Sequence, residues 1–498
     1  MRPSQPNLLF VMSDDHAAHA ISAYTSRTAP GGPSDPERPQ INHTPNLDRI
    51  AAGGMRFDAC FCTNSICTPS RASVLTGTYN HVNGVTTLVT PMDNTLDTFP
   101  KQLQAAGYQT ALFGKWHLGH GPEHDPTGFD RWRVLPGQGH YHNPVMLQPR
   151  PDGRGHTIVE RGGYVTDLIT DDALAWLDTR DPDRPFAMLV HHKAPHRSWE
   201  PSREHFTLFD DIDIPEPSTL WDDHEGRAEV VRSMRMRLMD LDPVIDLKAS
   251  IPPGLSEDDE VRWRYQRYIK DYLRTIASID DNVGRLLDRL DDEGIADDTV
   301  VVYTSDQGFF LGDHGWFDKR MMYEESVAMP LLVRYPPMIA PGSVCGEIAL
   351  NVDFAPTFLE LAGVDVPDEV QGTSLSPLLR GERPDDWQQS MYYRYWMHDD
   401  GIHRVPAHYG VRTRTHKLIG YYNDPLGQTG ARRSDDPPEW ELFDLVADPH
   451  ELHNVIGDAV YRDVALELHA ELQRLQSEVG DLPHPGAEAE FSRLLSIG

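Results

Sequence analysis

What most constrains this chain is a set of short, nearly continuous apolar runs, each ending abruptly in polar or charged residues. Leu8–Met12 gives way to Ser13-Asp14-Asp15-His16, and Thr110–Phe113 to Gly114-Lys115-Trp116-His117. Phe186–Val190 runs into His191-His192-Lys193-Ala194-Pro195-His196, and Thr299–Thr304 into Ser305-Asp306-Gln307-Gly308. Runs without polar alternation are buried on both faces, which is the pattern of strands inside a parallel sheet. Pro330–Tyr335 reads as a fifth such strand. Helical stretches lie between them. Thr44-Pro45 opens one that Gly53-Gly54 stops, and Pro100–Ala106 ends at Gly107. Glu257–Asp292 carries Val261, Tyr265, Ile269, Tyr272, Ile276, Ile279 and Val283 at three- and four-residue spacing. Strands alternating with helices predict an α/β fold. In open α/β sheets ligands bind beyond the carboxyl ends of the strands, so four runs deliver their polar groups to one edge.

The pattern changes after about residue 380. Met391–Trp396, Tyr409–Thr413, Lys417–Tyr422 and Glu441–Leu445 read as short strands between Gly, Asp and Pro turns, and Tyr461–Glu478 as an amphipathic helix. The expected division is a large domain over residues 1–380 and a smaller α+β subdomain over 381–498. Ser26–Pro39 and Asp424–Pro438, rich in Pro and Asp, read as long surface loops.

Composition limits the partners. With 45 Lys and Arg against 77 Asp and Glu, the formal charge is −32, which repels nucleic acid and anionic membrane surfaces, so neither is an expected partner. No apolar run approaches the roughly 18 residues of a membrane span. Met1–Pro6 leads into Asn7–Met12 without the features of an export leader. Cys60, Cys62, Cys67 and Cys345 lack paired zinc-site spacing and are too few for a disulfide scaffold. The expectation is a reduced, cytoplasmic protein.

The strand ends carry the chemistry. Asp14, Asp15, Asp306 and Gln307 make a hard, all-oxygen set suited to calcium or magnesium. Lys115, His117, His196 and Lys319 bring positive groups beside it, an arrangement that makes sense with an anion between them, most naturally a tetrahedral oxyanion. Cys67-Thr68-Pro69-Ser70-Arg71 adds a thiol just before a predicted helix, whose free N–H groups favour an anion, with Arg71 as a bidentate clamp. On chemistry alone Cys67 is either an activated thiolate or a buried structural thiol.

Cys67-Thr68-Pro69-Ser70-Arg71 followed by Ala72-Ser73-Val74-Leu75-Thr76-Gly77 resembles the signature of type I sulfatases, in which a separate formylglycine-generating enzyme oxidises the cysteine. Asn7–Asp15, Gly114–Gly119, Ala194-Pro195-His196, Ser305–Lys319, Trp440–Leu445 and Asp448-Pro449-His450-Glu451 resemble further blocks of that family in family order, most like bacterial carbohydrate and glycosaminoglycan sulfatases. The resemblance implies an alkaline-phosphatase-like sandwich: a large mixed sheet flanked by helices, plus a smaller C-terminal α+β domain on a four-stranded antiparallel sheet. It implies that Asp14, Asp15, Asp306 and Gln307, with the modified Cys67, hold calcium. Gln307 stands where relatives often carry Asn. It implies that Arg71, Lys115 and Lys319 bind sulfate, that His196 protonates the leaving oxygen, and that His117 assists breakdown of the sulfated intermediate. One hydroxyl of the hydrated aldehyde attacks sulfur and displaces the alcohol. The other then loses its proton, the carbonyl re-forms and sulfate departs.

The implied substrate is a sulfated small molecule or saccharide, with His81, His403, Arg404 and His408 as candidates to line the sugar pocket. Competing readings are a phosphonate monoester or phosphodiester hydrolase of the same superfamily, an arylsulfatase, and a non-catalytic anion- or carbohydrate-binding protein.

Overall fold

The computed structural model describes residues 5–25, 40–152 and 155–496; the Ser26–Pro39 loop and the first four residues of the leader reading lie outside the described residues. The larger sheet has ten strands: β1 (Asn7–Ser13), β2 (Met55–Phe57), β3 (Gln109–Lys115), β4 (Arg131–Leu135), β5 (Val145–Pro149), β6 (His156–Glu160), β7 (Phe186–His191), β8 (Thr299–Ser305), β9 (Leu331–Arg334) and β10 (Ser343–Cys345). Their spatial order is β10-β2-β9-β8-β1-β7-β3-β4-β5-β6.

The centre, β8-β1-β7-β3-β4, is parallel. Alternate residues of β1 and β8 feed two separate cores. Leu8, Phe10, Met12, Val300 and Val302 enter one; Leu9, Val11, Val301 and Tyr303 enter the other. Both faces are therefore covered, which is why these runs show no polar alternation. Each such side chain contributes roughly 1.5–3 kcal/mol on burial.

One expectation is corrected here. β9, the core of the Pro330–Tyr335 run, pairs antiparallel with both β8 and β2. An apolar run reports that both faces are buried, not which way the strand points. This one follows β8 through a return loop rather than a helical crossover. Strands β4 to β6 extend the sheet beyond the predicted ones, β5 and β6 each running antiparallel to the strand before.

Helices pack on both faces, among them α1 (Pro45–Ala52), α2 (Cys67–Thr76), α3 (Val165–Leu177) and α4 (Glu257–Asp292). The Ser256 hydroxyl accepts from Asp259 N–H at the start of α4, and Glu257 to Glu260 place four carboxylates in its first turn, where the helix dipole favours them. Its Tyr268, Ile269, Tyr272 and Ile276 enter the second core.

The smaller sheet orders β11 (Ser390–Tyr395), β12 (His408–Thr413), β13 (His416–Tyr421) and β14 (Glu439–Asp444) in sequence, all antiparallel. Helix α5 (Arg462–Val479) packs on it. Its Tyr393, Val411, Leu418 and Trp440 belong to the same apolar cluster as Phe10 and Val302 of the large sheet, so the two sheets share a core.

Candidate active site

Register brings the site together. Ser13 pairs with Ser305 and Met12 with His191, while Gly114 also faces His191. Asp14, Lys115, the His191–His196 loop and Asp306 therefore leave the sheet at one level. The bends are sharp: Asp15, His117, Asp318 and Arg320 all have positive φ, at 69°, 58°, 77° and 94°. Side chains other than glycine rarely adopt that region, and such strain concentrates where the surroundings over-determine a functional geometry. Gly308 serves a different need. A Cβ there would lie 2.2 Å from the Glu325 carbonyl, so only glycine lets the chain pass beside Gln307.

Carboxylate oxygens of Asp14, Asp15 and Asp306 lie within 4.8 Å of one another, and all three residues are fully buried. Asp15 N–H donates to Asp306 Oδ1 at 3.1 Å. Gln307 Nε2 donates to Asp15 Oδ1 and stands 3.8 Å from Cys67 Sγ. Asp14 Oδ1 and Gln307 Oε1 are buried acceptors without a hydrogen bond. Three carboxylates and an amide oxygen, two of these acceptors unsatisfied, fit a divalent cation with oxygen preference, the kind of ion the resemblance implies.

Cations surround the acids. Lys115 Nζ donates to Asp14 Oδ2 and to Gln138 Oε1, and Lys319 Nζ donates to Asp15 Oδ2 at 2.7 Å. Arg71 lies along Asp306, with Nε 3.0 Å and Nη2 2.9 Å from Oδ2, and its Nη1 donates to the Lys115 carbonyl at 3.0 Å. The guanidinium thus sits on Asp306, and its Nη2 is buried without a hydrogen bond. Burial opposes ionisation of Asp14, but Lys115, then His196 and Arg71, hold it well below the usual carboxylate range. Burial and repulsion from Asp14 push Asp306 up to about 8, and burial pushes Asp15 up to about 6 against the pull of Lys319.

Cys67 is the first residue of α2, whose preceding residue offers no side-chain cap, so the helix N–H groups remain for an anion. The sequence placed the thiol just before the helix; it forms the first turn with Pro69. Burial, then Asp14, pushes the thiol up, which works against activating the unmodified group as a thiolate. The Thr68 hydroxyl donates to the His117 carbonyl at 3.0 Å, bringing His117 beside the Cys67 turn. Cys67 and Asp14 share a 4.8 Å cluster with His196. His196 Nδ1 donates to the Arg197 carbonyl at 2.6 Å, leaving Nε2 3.8 Å from Asp15 Oδ2. Burial, then Lys115, lowers both histidines well below their ordinary value.

The predicted sugar-pocket residues fare differently. His408 is fully buried, stacked against Tyr393 and Tyr395 with Nδ1–H on the Pro406 carbonyl, and cannot line a pocket there. His81 donates to the Val479 carbonyl at the end of α5. Arg404 is largely exposed, paired with Asp399 at 3.0 Å. None of the three touches the carboxylates, Cys67 or the two lysines. Their partners are set by tertiary packing that local sequence does not encode. His403 does approach, at 3.3 Å from Asp318 beside Lys319, where Arg320 and Asp400 complete a buried network. Gln138 was missed; its Gly-Gln-Gly turn carries no motif that announces an acceptor for Lys115.

The family model described as Sulfatase matches residues 6–364, and that for the C-terminal part of N-sulphoglucosamine sulphohydrolase matches residues 312–478. The chain is 41% identical to an N-acetylglucosamine-6-O-sulfatase of Bacteroides thetaiotaomicron, over 96% of this chain and 87% of that protein. It is 29% identical to the human N-acetylglucosamine-6-sulfatase over 70% of this chain and 62% of that one. A solved structure described as a complex with its substrate, D-glucosamine-2-N,6-O-disulfate, superposes with a TM-score of 0.87 at 40% identity, covering 97% of this chain and all of the other. A phosphonate monoester hydrolase of Agrobacterium radiobacter shares the fold, with a TM-score of 0.72 at 21% identity over 95% of this chain and 96% of its own.

Proposed function

The chain belongs to the sulfatase family, and from that membership we propose that it removes the 6-O-sulfate of glucosamine units, with Cys67 converted to formylglycine and calcium or magnesium held by Asp14, Asp15, Asp306 and Gln307. The observation that carries the substrate is identity of 41% with an N-acetylglucosamine-6-O-sulfatase across nearly the whole chain. The metal would act as a Lewis acid on the sulfate, and the hydrated aldehyde would supply a nucleophile that can be regenerated.

The protein's own groups do the rest. Arg71 keeps Asp306 and Asp14 in register. Lys115 and Lys319 each hold one carboxylate and can pass a hydrogen bond to a sulfate oxygen as charge develops there. His196 keeps its Nδ1–H on the Arg197 carbonyl, so the proton for the leaving alcohol comes from Nε2. Burial, then Lys115, makes that proton costly to hold, and an anionic substrate would offset the cost. A sugar alkoxide is a poor leaving group, whereas an aryl oxide leaves unaided. His196→Ala is therefore expected to slow the sugar sulfate by about 10²–10⁴-fold and a nitrophenyl sulfate much less. Equal losses on both would remove His196 as the general acid.

The C-terminal match to an N-sulphoglucosamine sulphohydrolase favours a second reading, cleavage of an N-sulfate. D-glucosamine-2-N,6-O-disulfate separates the two when the products are followed by NMR. Loss of the 6-O-sulfate, leaving glucosamine-N-sulfate, is the expected result. Loss of the N-sulfate, or faster cleavage of a phosphonate monoester or phosphodiester supplied in parallel, would overturn the assignment.

A further inference from the structure

Gln307 and Lys319, which converge on Asp15, are the two ends of one loop, and something must hold that loop closed. Its middle is His314, which is fully buried with φ of 57°. Its N–H donates to Thr219 Oγ1 at 3.1 Å, and its carbonyl accepts from His224 Nε2 at 2.9 Å. Its ring joins two carboxylates: Nδ1 is 2.8 Å from Asp222 Oδ2, and Nε2 is 3.7 Å from Glu325 Oε2. Asp222 is itself fixed by Arg227 Nη2 at 3.0 Å, and the same guanidinium donates to Tyr323 and to the Leu452 carbonyl. His224 stacks on Trp316 with centroids 4.7 Å apart. Residues 219–227 come from a long, largely irregular segment between β7 and α4, whereas Tyr323 and Glu325 follow the loop.

We propose that His314 is a positioning residue for the sulfatase reaction: by bridging Asp222 to Glu325 it locks the turn that joins Gln307 to Lys319. It touches no reacting atom. Asp222 is hydrogen-bonded to Nδ1, and Glu325 lies at ion-pair distance from Nε2 without a hydrogen bond to it; carboxylates on both sides of the ring favour the imidazolium, so the bridge is a charged one. Burial opposes the charge, but Asp222, then Glu325, overcome it and push the imidazole up to about 9. The charged and titratable groups around the ring are Asp222, His224 and Arg227 on one side, Tyr323 and Glu325 on the other, and Asp313 in the chain. The folded value is raised above the ordinary one near 6.5, so the bridge is complete below about 6.5 and is lost as pH rises through about 9. The buried polar contact thereby carries a catalytic consequence at a distance, because misplacing a binding group by about 1 Å can cost on the order of 10²-fold in rate.

This inference rests on Gln307 and Lys319 holding metal and sulfate, and the test separates the two readings. His314→Gln and Asp222→Asn are compared with the wild type, loaded with metal and matched for aldehyde content at Cys67, on a glucosamine 6-sulfate. For both, kcat is expected to fall about 10- to 100-fold with KM little changed. The deficit should shrink as pH rises above about 9, where the wild type loses the bridge as well. Wild-type kcat and an unchanged pH profile in folded variants would overturn the inference, whatever their melting temperatures. Failure of both variants to fold would make the contact structural and overturn it equally. A wild type without sugar-sulfate turnover would instead strike the proposed function.

Discussion

Exchanging Cys67 for serine is expected to cut steady-state hydrolysis of a sugar sulfate by at least about 10⁴-fold, without lowering the melting temperature. The substitution is nearly isosteric, and the sulfur's close polar neighbour is Gln307 Nε2 at 3.8 Å, so little packing is lost. What is lost is the second hydroxyl. A serine can attack sulfur once, but the ester it forms has no proton to give up in expelling sulfate. Alcohol release should therefore stop at or below one equivalent per enzyme. Continued turnover at a rate near that of the wild type would show that the nucleophile lies elsewhere.

Chelation of divalent cations is expected to cost about 10³-fold or more in activity, several kcal/mol of charge stabilisation, and to be reversed by calcium or magnesium. The reason lies in the folded protein. Asp14, Asp15 and Asp306 crowd their oxygens within 4.8 Å in a buried site, and two acceptors there, Asp14 Oδ1 and Gln307 Oε1, have no hydrogen bond. A cation answers both the repulsion and the unsatisfied oxygens. Added calcium should therefore raise the melting temperature of the chelated protein, a readout independent of turnover. Full activity with metal shown to be absent by elemental analysis would rule out this use of the acids.

The groups that cluster at the strand ends were legible because the fold announces them locally. A strand buried on both faces has no place for Asp14-Asp15 or Asp306-Gln307 except beyond its end, and parallel neighbours end together. Cys67, Lys115 and His196 each sit in a short block whose residues meet the site directly. The four strands of the smaller sheet and the bounds of Glu257–Asp292 were equally legible, from turn residues and from a three- to four-residue apolar period.

The rest depended on contacts far apart in sequence. His408 alternates with its neighbours along β12, so a single register decides whether it meets a cleft or a layer of tyrosines, and it meets Tyr393, Tyr395 and Tyr421. His81 follows closely on the Cys67 helix, yet its partner is the carbonyl of Val479, far away in sequence. The direction of β9 was hidden because burial and direction are different properties. Asp222, Arg227 and His314 form a network whose members lie in stretches with little secondary structure, and no periodicity marks them.

The central claim is that a formylglycine made from Cys67 does the chemistry. Preparations made with differing amounts of the modifying enzyme would be digested, and the peptide spanning Cys67 quantified by mass spectrometry as thiol, aldehyde and hydrate. Specific activity on a glucosamine 6-sulfate should rise in proportion to the aldehyde fraction and extrapolate to zero where only thiol remains. Full activity in protein whose Cys67 is entirely thiol would contradict the account.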